Sequence, residues 1–151
     1  MFIMREHASI AADAGAVYDI LVDLDRYCDW NPWNFAARGT PRVGGPLIEV
    51  DVRLGERTMT VLHKILVMER GRMFRWSDTG WFTWLCYGQR TRMLEPSAGG
   101  GCDYTVELQL TGPLVFLTRL MFGKHLVSGL AAETEALKAH AESGGGAGGA
   151  R

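Results

Sequence analysis

Between residues 47 and 111 the apolar side chains recur at every second position, and from about Pro113 to Glu142 they recur every three or four. This one change of period constrains the fold most, because strands with a single apolar face need a cover and one long amphipathic helix is there to supply it. In 47–54, Ile48, Val50, Val52 and Leu54 alternate with Glu49, Asp51 and Arg53, and Gly55-Glu56 predicts a hairpin turn. Residues 57–68 put Met59, Val61, His63, Ile65 and Val67 on one face, although Leu62 and Leu66 make the other face partly apolar. Gly71 turns the chain, after which Phe74 and Trp76 share a face opposite Arg75. Residues 81–95 predict a long strand or strand pair; counting back from Pro96 groups Trp84, Cys86, Arg90, Arg92 and Leu94. Beyond a turn at 97–101, Tyr104, Val106, Leu108 and Leu110 alternate with Asp103, Thr105, Glu107 and Gln109. In the helical stretch, Phe116, Leu120, Val127, Leu130 and Leu137 form the expected stripe, Pro113 suits the first turn, and Gly123 and Gly129 are sites for a kink.

The first third of the chain prepares this unit. Residues 2–10 read as a strand with Phe2, Met4, Ala8 and Ile10 on one face, and Glu6 falls on that face too. Asp13 is placed to cap a helix over 14–22, with Val17, Leu21 and Leu24 on one side; a second short helical turn covers 24–28. Pro32 stops it, and Gly39, Pro41, Gly44, Gly45 and Pro46 punctuate a loop. The segment Asp29-Trp30-Asn31-Pro32-Trp33-Asn34 carries an apolar load where a surface loop would be polar. It either plugs the end of a core or forms the rim of a pocket.

The expected class is therefore α+β: a curved antiparallel sheet wrapped around one long C-terminal helix, with two short helices closing an internal cavity. At 151 residues one domain is expected, over 1–142, followed by a disordered glycine- and alanine-rich tail over 143–151. The net charge of -1 and scattered arginines leave no footprint for nucleic acid. Arg5, Glu6 and His7 interrupt any signal-like run, and no apolar stretch approaches the roughly 20 residues that span a bilayer. Cys28, Cys86 and Cys102 are odd in number and far apart, which argues against a disulfide framework or a structural zinc site and makes a reducing cytoplasm the default. His7, His125 and His140 have no neighbours in sequence that make a ligand set, so no metal is expected; without a GxSxG, P-loop or dinucleotide fingerprint, no cofactor is expected either.

Several segments together resemble the START-like helix-grip superfamily, whose members include the birch pollen allergen, and within it the bacterial polyketide cyclase/dehydrase and lipid-transport branch. They are Val17-Tyr18-Asp19-Ile20-Leu21, Trp30-Asn31-Pro32, Gly44-Gly45, Arg72-Met73-Phe74-Arg75-Trp76, Leu110-Thr111-Gly112-Pro113-Leu114, and the helix end at Ala136-Leu137-Lys138 with Ala141-Glu142. The resemblance covers about residues 2–142. It implies the fold and a cavity for an apolar ligand, but not one function, since members include cyclases, dehydratases, lipid carriers and hormone receptors. The branch often has a glutamate where this chain has Leu108, and histidine or phenylalanine where it has Arg90 and Arg92.

Strand parity and the helix stripe predict a cavity lined by Trp30, Trp33, Met59, Val61, His63, Trp76, Trp84, Tyr104, Leu108, Phe116 and Leu120. Arg90 and Arg92 fall on the same face. If they point inward each needs a partner, for which Glu6 or an anionic group of a ligand are candidates; if the strand is bulged there, both meet water. His63 is either a general acid or base or a core histidine, and Tyr104 either donates to a carbonyl or packs at the rim. Two functions follow as expectations. One is a carrier or sequestering protein for a small hydrophobic molecule such as a lipid, polyketide or aromatic compound. The other is a cyclase or dehydratase using His63, Tyr104 and Arg92, with Glu6 as a further candidate. A third, weaker reading presents the Trp30/Trp33 loop to a protein partner. Monomer and homodimer are both open.

Overall fold

The computed structural model describes residues 1–144. Its elements are β1 (Phe2–Ile10), α1 (Ala14–Val22), a 3-10 turn (Leu24–Asp29), β2 (Ala36–Arg38), β3 (Ile48–Leu54), β4 (Arg57–Glu69), β5 (Met73–Asp78), a second 3-10 turn (Trp81–Trp84), β6 (Tyr87–Pro96), β7 (Cys102–Thr111) and α2 (Val115–Glu142). The strands form one seven-stranded sheet in the order β1-β7-β6-β5-β4-β3-β2, antiparallel at every pairing. It is a curved meander from β2 to β7, with β1 added at the β7 edge.

Local chemistry explains most boundaries. Asp13 caps α1 by accepting from the Gly15 amide at 3.0 Å. Leu54 pairs with Arg57, so Gly55-Glu56 is a two-residue hairpin, and Gly55 takes a φ of 66° that suits glycine. Strict alternation in β7 buries Cys102, Tyr104, Val106, Leu108 and Leu110 on one face. α2 covers that face, packing against β1, β3 and β7. Leu130 and Leu137 of α2 are fully buried, each contributing about 1.5–3 kcal/mol. The end of α2 is tied to the end of β1 where the Ala11 amide donates to Glu142 Oε2 at 2.8 Å.

Four expectations are corrected. Residues 81–95 are not one extended run: Trp81–Trp84 coil into a 3-10 turn after Gly80, so parity counted back from Pro96 fails before Cys86 and Trp84 points to solvent, 68% exposed. In β4 the register shifts between Ile65 and Val67, so Met68 rather than Val67 packs against the core. The short strand β2 lies ahead of the expected loop, where no strand was expected. The predicted helix stripe is out of phase in its first half: Phe116 is 70% and Leu120 is 81% exposed, while Thr118, Phe122 and Leu126 turn inward. That half is apolar almost all round, so periodicity does not pick a face; the phase is set further along by Leu130, Leu137 and Ala141. α2 runs continuously through Gly123 and Gly129. Of the expected tail, Ser143 and Gly144 form a turn after α2, and 145–151 lie outside the described residues.

Candidate ligand cavity and the charge cluster behind it

The Trp-Asn-Pro-Trp segment is held by its own polar residues. Asn31 Oδ1 accepts from the backbone amides of Trp33 and Asn34 at 3.0 and 2.9 Å, and the Arg53 amide donates to Trp33 O at 3.0 Å, tying the loop to β3. This aims Trp33 inward, buried against Gly129 of α2, where an added Cβ would meet the indole ring. Trp30 turns away from the cavity. Its ring lies 5.3 Å from Tyr27 and is stacked 6.0 Å from His140.

Between the sheet and the first half of α2 lies a cavity of about 410 Å³. Trp33, Asn34, Val52, Leu54, Met59, Val61, His63, Asp78, Phe82, Cys86, Gly88, Arg90, Leu108, Leu110, Thr118, Phe122 and Leu126 line it. The walls are mostly aliphatic and aromatic, with His63, Asp78, Asn34 and Arg90 as the polar points, which is the usual make-up of a small-molecule site.

His63 is buried and stacked on Trp76, with ring centroids 4.9 Å apart. Its Nδ1 lies 3.3 Å from Ser77 O and 3.3 Å from Asp78 Oδ1. Both neighbours are acceptors, so this network assigns the proton to Nδ1 and leaves Nε2 as an acceptor. Burial pulls the imidazole pKa below 6.5, only partly opposed by Asp78, so His63 is neutral near pH 7.

Deeper in the core, Glu133 of α2 meets both arginines of β6. Arg92 Nη2 lies 3.2 Å from Glu133 Oε1, Arg90 Nη1 lies 3.4 Å from Oε2, and the Asn34 amide donates to Oε2 as well. Burial alone would raise the Glu133 carboxyl; the two guanidiniums and the Asn34 amide outweigh it and hold it below the ordinary carboxylate range. The arginines also lie over aromatic faces: Arg92 is 4.0 Å from the Trp76 centroid and Arg90 is 4.4 Å from that of Trp33. Tyr27 and Tyr104 complete the cluster. Burial raises both phenols, Tyr27 to about 12.

Six of the predicted lining residues thus lie on the cavity: Trp33, Met59, Val61, His63, Arg90 and Leu108. The others do not. Trp76, Tyr104 and Arg92 are core residues behind it, Trp30 packs on Tyr27, and Trp84, Phe116 and Leu120 face solvent. Glu6 is not the partner of the arginines. It sits half-buried on β1 opposite Val106, and Glu133 takes the role. The sequence reading missed Glu133, Asn34 and Asp78. Two inward arginines demand a carboxylate, and stepping along α2 from Leu130 to Leu137 places position 133 on the same face; that signal was available.

No family model matches the chain, and no curated protein matches it. Solved structures do. An aromatase/cyclase, Zhui, from Streptomyces sp. R1128 superposes with a TM-score of 0.74 at 13% identity, covering 95% of this chain and 94% of that one. A START superfamily protein from Mycobacterium smegmatis gives 0.70 at 17%, covering 93% and 97%. Ara h 8.0201 gives 0.67 at 18%, covering 94% and 98%. The chain has the START-like helix-grip fold. In this fold the sheet grips α2, and the space left between them is the cavity described above. Among the described residues no helix is long and apolar enough to cross a membrane, and no group of three or more His, Cys, Asp or Glu side chains is placed to hold a metal ion.

Proposed function

We propose that this protein binds a small hydrophobic molecule, such as a lipid, a polyketide or an aromatic compound, inside the cavity, as a carrier or sequestering protein. The observation that carries this reading is the apolar lining of a space of about 410 Å³ between Val52, Val61, Leu108, Leu110, Phe122 and Leu126. The neutral dye N-phenyl-1-naphthylamine tests it by fluorescence titration. Saturable binding that Leu108→Trp weakens at least tenfold supports it; a dye that stays in water, or that binds Leu108→Trp equally well, refutes it. We also propose a cytoplasmic location, which the three free cysteines support.

A second reading, an enzyme of cyclase or dehydratase type, is favoured by one observation: His63 on the cavity wall, its Nδ1 oriented by Asp78, and its Nε2 left as an acceptor. In this reading Asp78 and Arg90, which line the cavity beside His63, are its companions, while Arg92 and Tyr104 lie behind the cavity wall. The aromatase/cyclase among the superposed structures is consistent with this chemistry. Turnover of a host-derived substrate that His63→Ala abolishes while ligand binding persists would establish it.

A further inference from the structure

The buried charges do not balance. Arg90 and Arg92 bring two positive charges, and Glu133 is the one carboxylate among the buried described residues. Tyr27 and Tyr104 remain neutral phenols near pH 7, and neutral His63 adds nothing. Asp78, half-buried on the same wall, has one carboxylate oxygen 3.3 Å from His63 Nδ1. Among the described residues it forms no ion pair with Arg90. Of the two arginines, Arg92 is sealed at 0% exposure, whereas Arg90 lines the cavity. Arg90 holds Glu133 by a single contact at 3.4 Å through Nη1; its Nε is sealed inside the protein without a partner, and its Nη2 makes no hydrogen bond among the described residues. A buried guanidinium with an unused donor beside an apolar space is costly unless something anionic completes it.

We propose that the cavity takes a monoanionic amphiphile: a carboxylate, seated on Arg90 at the inner end, with an apolar tail running outward between Val61, Leu108, Phe122 and Leu126. This rests on the cavity being a ligand site, as proposed above, and adds the chemical class of the ligand. The guanidinium carbon lies 4.4 Å over the Trp33 ring, which holds the group at the cavity wall and leaves the donor not engaged by Glu133 to make a charge-assisted hydrogen bond to a carboxylate oxygen. The tail gives affinity and the head sets its direction.

Decanoic acid, 1-decanol and methyl decanoate, each displacing N-phenyl-1-naphthylamine at pH 7, provide the test. The acid should bind about 10- to 100-fold more tightly than the alcohol or ester, the worth of a charge-assisted hydrogen bond. In Arg90→Met that ratio should fall to near one. The wild-type comparison needs no variant, so a poorly folding Arg90→Met leaves the proposal open to refutation. If all three ligands bind with equal affinity, the anionic head is wrong while the cavity reading stands. If neither dye nor amphiphile binds, the cavity reading fails and takes this inference with it.

Discussion

Arg92 reaches across the core from the sheet to Glu133 on α2, its Nη2 3.2 Å from Oε1, and neither side chain is open to solvent. A charge pair in this position is a liability as much as a support. Replacing Glu133 with methionine leaves two guanidiniums buried without a carboxylate, and should cost about 3–5 kcal/mol. Urea denaturation measures it. The triple change Arg90→Met, Arg92→Met and Glu133→Met removes the whole cluster at similar volume and should lie within about 2 kcal/mol of the wild type, or above it. A triple variant weaker than Glu133→Met alone would mean that the remaining hydrogen bonds, not the unpaired charges, set the cost.

Stability should fall with acid in two steps. The folded pKa of His63 lies below its unfolded 6.5, so between the two the unfolded chain binds the proton first. Its contribution is fully present above 6.5 and is lost as pH falls through the folded value. Glu133 repeats the pattern below its unfolded 4.5. His63→Phe keeps a ring on Trp76 and should flatten the first step only, as read from urea midpoints at about pH 7 and pH 5. An unchanged slope would place His63 in water.

Gly129→Ala sets two effects against each other. Alanine favours a helix interior by about 1 kcal/mol, but its Cβ meets the Trp33 indole. Crowding costs about 1–3 kcal/mol in a packed site, so a net loss of roughly 1 kcal/mol is expected, with a blue- or red-shifted Trp33 emission. A higher melting temperature would show that Trp33 yields freely.

The phase of α2 is directly checkable. Leu120→Ser should change stability by less than about 0.5 kcal/mol, because the side chain is already in water. Leu130→Ala should cost about 2–5 kcal/mol. Equal losses at both positions would put the helix in the other rotation.

What the sequence disclosed follows from how one-sided each pattern is. β7 and β3 alternate cleanly between apolar and polar residues, so their inward faces were legible; parity counted from Pro96 put Arg90 and Arg92 on one face but left open whether a bulge turned both to water. The first half of α2 was not, because Phe116, Leu117, Leu120, Met121 and Phe122 leave no polar side to orient it. Glu133 looks, in Ala131-Ala132-Glu133-Thr134-Glu135, like any solvent-facing helical acid, and only its phase with Leu130 and Leu137 sets it apart. Asp78 was hidden because its partner His63 comes from the neighbouring strand, and pairing across strands is invisible in a linear reading.

Glu133 also fixes where α2 can stop along the sheet. A helix held only by leucines and alanines can ratchet by a turn, about 5.4 Å, and find nearly equivalent contacts. Here such a slip would carry Glu133 away from Arg90, Arg92 and Asn34 together. Three partners, two on β6 and one on the loop after Pro32, act as a detent that admits a single axial position. The cavity between the sheet and the first half of α2 then keeps its size because of a carboxylate that is not among its own lining residues.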